Sequence, residues 1–396
     1  MGYPSIVEAL RGVRGVYISD DRFYPTVGFR GFSRMGDYGN RVLVLINGQP
    51  TNDNWGFFSF TGYDARVDLE DVERIEVVRG PGSALYGADA FSGVVNMIAI
   101  APGEGSKAGG RVGYGDRQQG YASGWVSGRD GDFSYRASAG YTRYPRWTRE
   151  VAPGRIDLKV ADFDQNLGAE NLRIDLRTEQ RLSKDTAISL GGGYSRVALD
   201  VYGTGPFNDY RLKGDTLDVT SAFRSKHINA RVYYSRLAVS SGVDYAYIGQ
   251  SLYEPSHPTQ NSFDAELGYT GDFKLPAVLK HTVNAGVGYR FKNISWEYLE
   301  TDTPNEHHGS IYLQDAISYK NLATLVVSGR LDYVPYLARV VPSPRASFIL
   351  KPSDRQAVRV SGSTAFRSPT FLESHLALPI QLPLPGAELI SASKRE

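Results

Sequence analysis

The sequence of 396 residues contains no cysteine and only 3 methionines, so disulfide bonds and thiolate metal sites are impossible. It lacks any apolar run of the roughly 18 residues that a membrane-spanning helix needs. Its 44 Lys and Arg residues balance 43 Asp and Glu residues, which argues against a nucleic-acid-binding protein. Neither a Gly-x-Ser-x-Gly elbow nor a His-Glu-x-x-His helix occurs. The sequence therefore predicts no enzyme and no cofactor.

What the chain has in abundance is glycine and tyrosine, with 43 and 26 residues. From about residue 108 onward, it contains about thirteen segments of roughly ten residues in which polar and apolar side chains alternate. The segments lie near 109–115, 120–128, 133–143, 172–182, 186–196, 215–225, 228–240, 261–272, 281–291, 309–319, 323–333, 344–351 and 356–366.

These segments have the two faces of a strand between two environments. In residues 172–182, Arg173, Asp175 and Arg177 share one face while Leu172 and Ile174 share the other. A water-filled lumen suits the charged face, and tyrosines near the strand ends suit the aromatic girdles of a membrane barrel. The pattern favours a membrane β-barrel over a soluble β-sandwich. The alternative interpretation is a soluble or surface β-sandwich adhesin with an N-terminal binding module.

Residues 1–105 have a different texture, which predicts a mixed α/β unit. Ser5 can cap a helix over Ile6–Val13. Strands are expected at Val27–Phe32, Arg41–Ile46, Arg74–Val78 and Val94–Ile100, followed by a linker at Pro102–Gly105.

The most informative stretch is residues 75–97, where a strand enters a glycine-rich turn and leaves as a second strand. Gly80-Pro81-Gly82 forces the turn, and Ser83 can cap a short helical turn through Tyr86. Gly82 and Gly87 have the spacing of a phosphate-binding loop. The residues after Gly87 are Ala88 and Asp89 instead of Lys and Ser or Thr, so phosphate binding is rejected.

This stretch, together with residues 41–50 and Phe29-Arg-Gly-Phe32, resembles the plug domain of TonB-dependent outer-membrane receptors. Residues 308–315 and 365–373 resemble mid-barrel segments of the same family. The resemblance implies an α+β plug domain over residues 1–105, followed by an antiparallel transmembrane β-barrel over residues 106–396.

Size indicates that this barrel is incomplete. A plug of about 100 residues has a radius of gyration near 13 Å, and a ring of about thirteen strands has a backbone radius of only roughly 13 Å. About 22 strands would leave room for the plug. The sequence is therefore expected to hold about 13 of 22 strands, with both the family's N-terminal TonB box and its terminal aromatic residue absent.

The resemblance implies a receptor in the bacterial outer membrane that binds and imports a scarce ligand. A ferric siderophore is the first expectation, and cobalamin, another metal chelate or an oligosaccharide are alternatives. The implied partners are outer-membrane lipid and TonB with ExbB and ExbD. No nucleic-acid partner is expected.

Ten residues are expected to form the structural motif of the plug: Glu76, Arg79, Gly80, Pro81, Gly82, Ser83, Tyr86, Gly87, Gly93 and Asn96. Glu76 and Arg79 would pair with charges on the barrel wall, or else form a solvated pair on their strand. The glycines would supply positive φ angles or allow close approach to the wall.

Ligand binding is expected from residues 49–63, which follow the predicted strand Arg41–Ile46 and mix flat apolar side chains with hydrogen-bonding groups. The candidates are Asn52, Asn54, Trp55, Phe57, Phe58 and Tyr63. Ordinary loop packing is the alternative for the same residues.

No metal site is predicted. Two adjacent histidines in Glu306-His307-His308 point to opposite faces of a strand, so they do not converge on one ion. Asp162, Asp164 and Asn166 alternate like a calcium loop but lack its glycine and terminal glutamate.

Overall fold

The computed structural model describes residues 3–20, 25–32, 39–104, 107–115, 119–144, 168–201, 210–243, 246–247, 250–251, 257–275, 278–301, 304–353, 355–377, 380–381 and 388–389. Residues 162–166, where a calcium-like pattern was considered, lie outside these ranges. Among the described residues, none of the helices has the length and apolar character needed to cross a membrane.

The first part of the chain, here called the plug, is a small α/β unit. Its elements are α1 (Ile6–Leu10), β1 (Val16–Asp20), β2 (Pro25–Phe29), β3 (Val42–Ile46), β4 (Gln49–Pro50), a 3₁₀ turn (Leu69–Asp71), β5 (Val72–Arg79), α2 (Ser83–Tyr86) and β6 (Gly93–Ala99). β1 and β2 form a hairpin, and a second sheet has the order β4-β3-β6-β5. In this sheet β3 and β6 are parallel, while β5 is antiparallel to β6.

The plug core lies on both sides of its four-stranded sheet. One cluster joins α1 to the sheet and includes Ile6, Leu10, Phe29 and Val44. The other cluster joins Leu43 and Leu45 to Phe57 and Val94. Burial on both faces explains why β3 and β6 are almost continuously apolar in sequence.

The second part of the chain, here called the wall, is one antiparallel sheet of thirteen strands in the described residues. Its strands are β7 (Ala108–Tyr114), β8 (Gly120–Asp130), β9 (Phe133–Tyr144), β10 (Ala169–Ser183), β11 (Thr186–Val201), β12 (Tyr210–Arg224), β13 (Ile228–Val243), β16 (Thr259–Lys274), β17 (Leu279–Ser295), β18 (Asn305–Tyr319), β19 (Ala323–Val334), β20 (Arg339–Ser353) and β21 (Gln356–Ser363). Two-residue pairs, β14 (Ala246–Tyr247) with β15 (Gln250–Ser251) and β22 (Ile380–Gln381) with β23 (Glu388–Leu389), stand apart from it. The last helix is α3 (Phe371–His375).

Each wall strand pairs with its neighbour along the chain, so the sheet is a continuous meander that is open between β7 and β21 in the described residues. Its two ends differ. Short connections such as 131–132 and 184–185 join the strands at one end, here called the short-turn end. Longer connections such as 145–168 and 244–258 join them at the other, the long-loop end.

The two faces of the wall follow the predicted alternation. Ile174 and Leu176 on β10 are 49% and 52% exposed, whereas Asn171 on the opposite face is 1% exposed. On β19, Leu325 and Val327 are exposed while Ser328 is buried. The plug packs on the polar face, which is the inner face, and leaves the apolar face outside.

The predicted fold class is confirmed: over the described residues, an α/β plug is followed by thirteen antiparallel strands that do not close. The first helix is shorter than expected and ends at Leu10. The strand β1 was not predicted. It pairs with β2 over five residues, although the predicted strand there began two residues later and ran to Phe32.

Candidate functional site

The loop that follows β4, here called the apical loop (residues 51–63), is held by side chains that turn back into the plug. The Asn52 amide accepts a hydrogen bond from Val44 N (2.8 Å) and donates to the carbonyls of Val42 and Phe57 (3.1 and 3.2 Å). Asn52 is 8% exposed, and its donors and acceptor are all used within the plug. In this structure it shapes the loop.

Asp53 closes the tip of the apical loop and is completely buried. Its carboxylate accepts hydrogen bonds from the backbone amides of Gly56, Phe57 and Phe58 at 2.8, 3.1 and 2.9 Å. Burial raises the pKa of Asp53 to about 7, although the three amide donors and the nearby Arg66 oppose that rise. The loop therefore contains a carboxyl group that titrates near neutrality.

The apical loop meets the wall near the long-loop end. Gln260 and Ser262, at the start of β16, accept hydrogen bonds from Asn54 N (2.6 Å) and Asn54 Nδ2 (2.9 Å). The cavity between the loop and the wall here measures only about 20 Å³, which is room for one water molecule. The loop and the wall are thus closely fitted on this side.

The six predicted ligand residues divide into two groups. Asn52, Asn54 and Phe57 are buried, and Phe57 belongs to the second plug core. The rings of Trp55, Phe58 and Tyr63 are half-buried. Tyr63 stacks on Tyr144 of β9 with ring centroids 3.9 Å apart.

A second cavity, of about 270 Å³, separates the plug from strands β7 to β10. Its lining includes the stacked pair Tyr63 and Tyr144, together with Tyr121, Arg111 and Arg173. The cavity lies below the roughly 300–1,000 Å³ of pockets that enclose drug-sized ligands. In this arrangement of plug and wall, the gap is too small to hold a large chelate.

Acidic side chains in and just before the 3₁₀ turn attach the plug to the wall; we call Asp68, Glu70 and Asp71 the acidic clamp. Asp68 pairs with Arg173 at 3.1 Å, and Glu70 pairs with Arg111 at 2.7 Å. Both arginines are on the inner face of the wall. The 3₁₀ turn itself is capped by the Asp68 carboxylate, which accepts from Glu70 N.

Asp71 forms the most deeply buried ion pair of the clamp. Arg136 Nη2 on β9 lies 2.6 Å from Asp71 Oδ1, and the two side chains are 1% and 3% exposed. Arg177 of β10 lies 3.5 Å from the same oxygen, and Ser138 donates to Asp71 Oδ2. These partners compensate a buried carboxylate that would otherwise be costly.

Strands β12 and β13 of the wall also bind the plug. Arg66 pairs with Asp218 at 3.2 Å and donates to Ser235. Gln49 donates to Thr220 at 2.5 Å. The inner face of the wall is therefore matched to the plug on two groups of strands.

The glycine-rich turn after β5 also touches the wall. Gly87 has φ +81°, and a Cβ built on it would lie 2.8 Å from Arg330 Nη2 of β19. Gly80 has φ +108°. Cβ atoms on Gly82 and Gly93 would instead meet side chains or backbone within the plug, including Val94 at 3.2 Å and Phe29 at 2.7 Å.

After β21 the chain returns over the plug; we call residues 364–377 the strap. Asp89, at φ +77°, accepts a hydrogen bond from Ser368 N (2.9 Å) and donates its own amide to Phe366 O (3.1 Å). Ser83 Oγ accepts from Phe366 N at 3.3 Å. Helix α2 begins at Ser83, and its N-cap is Gly82, which has no side chain to cap the helix. The predicted capping role of Ser83 is therefore wrong.

The strap continues to the apical loop and to the wall. Thr370 forms a capping box with Glu373 at the start of α3. Leu372 N then donates to Trp55 O at 2.9 Å, and Leu376 bridges to Leu299 beyond β17. One segment thus contacts the glycine-rich turn, the apical loop and the long-loop end of the wall.

Glu76 and Arg79 were expected to lock the plug to the wall, but their hydrogen bonds lie within the plug. Glu76 pairs with Arg74 (3.0 Å) and accepts from Asn96 Nδ2 (3.3 Å), while Arg79 donates to Arg14 O (2.6 Å). In the described chain the acidic clamp takes the predicted role, because the chain meets β7 to β10 at the turn before β5.

The last three motif residues to place are Asn96, Pro81 and Tyr86. Asn96 accepts from Gly48 N at 3.0 Å, which fixes the tight turn between β3 and β4. Pro81 is exposed. Tyr86 is half-buried, and burial raises the pKa of its phenol.

The described residues contain no group of three or more His, Asp or Glu side chains arranged to hold a metal ion. His308 instead pairs with Glu306 at 2.8 Å on the inner face. His307 bonds Tyr289 on the outer face at 2.8 Å, so the two adjacent histidines do point apart.

The fold and this interface define a class of protein: a globular plug held inside an antiparallel β wall whose outer face is apolar, as in the plugged barrels of the outer membrane. Two family profiles cover most of the chain. The TonB-dependent receptor plug domain matches residues 1–94, and the TonB-dependent receptor-like β-barrel matches residues 97–378. The chain belongs to the TonB-dependent receptor family, whose members are outer-membrane proteins that work with TonB.

Similar proteins include the vitamin B12 transporter BtuB of Vibrio vulnificus strain YJ016, which is 26% identical over 352 residues, covering 85% of this chain and 52% of the relative. The siderophore receptor PirA of Pseudomonas aeruginosa has a TM-score of 0.62 at 17% identity, over 93% of this chain and 62% of that one. The FrpB iron transporter of Neisseria meningitidis has a TM-score of 0.69 at 15% identity, over 92% and 63%. The chain thus spans between half and two thirds of these proteins' lengths.

Proposed function

We propose that this chain binds a scarce organic or metal-chelate ligand at the apical loop and serves its TonB-driven import across the outer membrane. The observation that carries the proposal is the hydrogen-bonded frame of Asn52, Asp53 and Asn54. This frame presents the half-buried rings of Trp55 and Phe58 at the long-loop end of the wall. In outer-membrane barrels the longer loops face the cell exterior, where a ligand arrives.

A ferric siderophore is the leading ligand within this proposal. Its support is the fold shared with the siderophore receptor PirA and with the iron transporter FrpB. Cobalamin is the second candidate, because the alignment to the vitamin B12 transporter extends over 85% of the chain. Other metal chelates and oligosaccharides follow.

Transport by this arrangement requires work on the plug, which supports a role for TonB energised through ExbB and ExbD. The acidic clamp, the strap and the contacts at Arg66 close the plug against the wall. The cavities between them measure about 20 and 270 Å³. Between the plug and these strands, ligand passage therefore depends on displacement of part of the plug.

The adhesin alternative loses its support. A β-sandwich needs two packed sheets with a dry core between them. Here the thirteen strands form one sheet, and the plug occupies its inner face through polar contacts.

The proposal is tested by binding of ferric siderophores and cobalamin to the purified chain carrying Trp55→Ala and Phe58→Ala together. Loss of about 1–3 kcal/mol of binding free energy, or about five- to 150-fold in Kd, is expected if the rings form the contact. Tyr289→Ala, an aromatic truncation on the outer face, is the matched control. Unchanged affinity for the double variant, with every ligand that the wild type binds, would remove the apical loop from the site.

A further inference from the structure

The outer face of the wall carries a group of charged side chains that the proposed function does not use. Arg196 on β11 is 65% exposed and forms an ion pair with Asp215 of β12, which is 44% exposed, at 2.7 Å. Lys213 on β12 and Arg236 on β13 are exposed beside them. We call Arg196, Lys213 and Arg236 the outer cation cluster.

Register places the outer cation cluster on one face. Leu172 pairs with Arg196 and Ile174 with Tyr194, and both leucine and isoleucine are exposed on the apolar face of β10. Arg196 in turn pairs with Asp215, and Leu217, two residues on, pairs with Arg236. Because side chains alternate along a strand, Lys213 shares the face of Asp215.

The depth of the cluster follows from the strand lengths. A tilted strand needs about 9–11 residues to cross the hydrocarbon core. Counted from the short-turn end, Arg236 is the ninth residue of Ile228–Val243, and Arg196 is the eleventh of Thr186–Val201. Lys213 is the twelfth residue of Tyr210–Arg224 counted from Arg224. The cluster therefore lies where the hydrocarbon core gives way to head groups on the long-loop side.

Below the cluster the same strands are apolar, with Leu190, Leu217 and Val219 between 46% and 56% exposed. Acyl chains would cover these side chains while the cations meet the head groups above. Tyr194 lies beside Arg196, and its hydroxyl donates to Asp215. This contact adds the aromatic element of an interface girdle.

Within the described residues, β9 and β16 to β19 carry no comparable cluster on their outer face. At the corresponding depth on β16 to β19, the outward residues are Phe263, Tyr289, Ile311 and Tyr333, which carry no charge. On β9, Arg143 is neutralised by Glu170 at 3.6 Å. Asp215 offsets one cation of the cluster, and within the described residues neither Lys213 nor Arg236 has an ion-pair partner, so a net positive charge is left.

We propose that the outer cation cluster binds the phosphate groups of a phosphorylated glycolipid of the outer leaflet, with lipopolysaccharide as the occupant. Arginine and lysine at head-group depth form charge-assisted hydrogen bonds to phosphate oxygens. The occupant is assigned to the outer leaflet because the cluster lies on the long-loop side. The site rests on outer-membrane placement and is independent of which ligand the apical loop binds.

The test uses the full chain purified in detergent, titrated with lipopolysaccharide and assayed for lipid phosphate retained per chain after gel filtration. The triple variant Arg196→Gln, Lys213→Gln, Arg236→Gln is expected to bind about tenfold or more weakly, because three charge-assisted contacts are lost. The control variant Lys184→Gln, Lys226→Gln, Lys351→Gln removes the same charge at the short-turn end, where these three lysines are exposed. It is expected to bind like the wild type.

Equal retention by the triple variant and the wild type would overturn the proposal. So would equal losses in both triple variants, or phosphatidylglycerol bound as tightly as lipopolysaccharide. If the triple variant fails to fold, the double variant Lys213→Gln, Arg236→Gln is used in its place, because it breaks no described ion pair. Chelate binding at the apical loop should be unchanged in the cluster variants, and lipid retention unchanged by Trp55→Ala, so the two proposals fail separately.

Discussion

The guanidinium group of Arg330 lies directly over the backbone of Gly87, with Nη2 2.8 Å from the position of a Cβ atom on that glycine. The contact joins wall strand β19 to the glycine-rich turn of the plug. Gly87 is also at φ +81°, where an L side chain is strained. Two independent restrictions therefore act on one residue.

Gly87→Ala is accordingly expected to lower the free energy of unfolding by roughly 1–3 kcal/mol, since it adds backbone strain and displaces Arg330. Guanidinium denaturation of the detergent-solubilised chain measures the change. Gly12→Ala is the matched control, because a Cβ there meets nothing within 4 Å and its φ is not positive. Equal stability of the two variants would contradict the steric argument.

The ion pair between Asp71 and Arg136 is expected to respond strongly to loss of one partner. Asp71→Asn leaves Arg136 buried without its carboxylate, at a cost of about 3–5 kcal/mol. The double variant Asp71→Asn, Arg136→Met should lose less than the sum of the single changes, because no buried charge is then uncompensated. A double-mutant cycle from denaturant unfolding gives the coupling.

The exposed pair Glu8 and Arg11, at 2.8 Å with 35% and 57% of the side chains exposed, is the control for that cycle. Solvent screens it, so a cycle of Glu8→Gln, Arg11→Gln and the double variant should give a coupling of less than about 1 kcal/mol. A coupling between Asp71 and Arg136 as small as that between Glu8 and Arg11 would show that the clamp does not hold the plug.

The wall was predictable from sequence because alternation is a local signal. The segment 172–182 already showed its charged and apolar faces, and β10 places Arg173 and Arg177 inward as expected. Strand β18 likewise contains the predicted segment 309–319, although it begins at Asn305. The ends of the strands at the long-loop end could not be located from the sequence. The part of a strand that extends past the membrane no longer has an apolar residue at every second position.

The interface between plug and wall was not predictable in the same way. The inward arginines of β10 were visible in the sequence, but their partners Asp68 and Asp71 lie about a hundred residues earlier in the chain, and the pairing depends on how the plug packs against the wall. Asp89 was used in the sequence argument only to reject a phosphate site. Its role in binding the strap depends on Ser368, which no local pattern connects to it.

The strap should loosen when its anchor on the plug is removed. Asp89→Ala deletes the acceptor of the Ser368 amide. The amides of Ser368 and Leu372, which hydrogen bonds protect in the wild type, are then expected to exchange at least several-fold faster. Hydrogen exchange read by mass spectrometry on peptides covering 364–377 measures this. Asp130→Ala, at an exposed short turn of the wall, is the control and should leave those peptides unchanged.

Asp53 should make the stability of the apical loop depend on pH. Its pKa is about 7 in the folded chain against 3.8 for an unperturbed aspartate, so the folded loop binds the proton more tightly than the opened loop. The free energy of loop opening is then greatest below pH 4 and falls by up to about 1.4 kcal/mol per unit as the pH rises towards 7. Exchange rates of the amides of Gly56, Phe57 and Phe58, corrected for intrinsic rates, give this slope. Asp53→Asn cannot titrate and should abolish the slope while weakening protection, because its amide supplies only one acceptor oxygen for the three donors. Protection that increases with pH in the wild type would mean that the three amide donors outweigh burial and keep the carboxylate ionised.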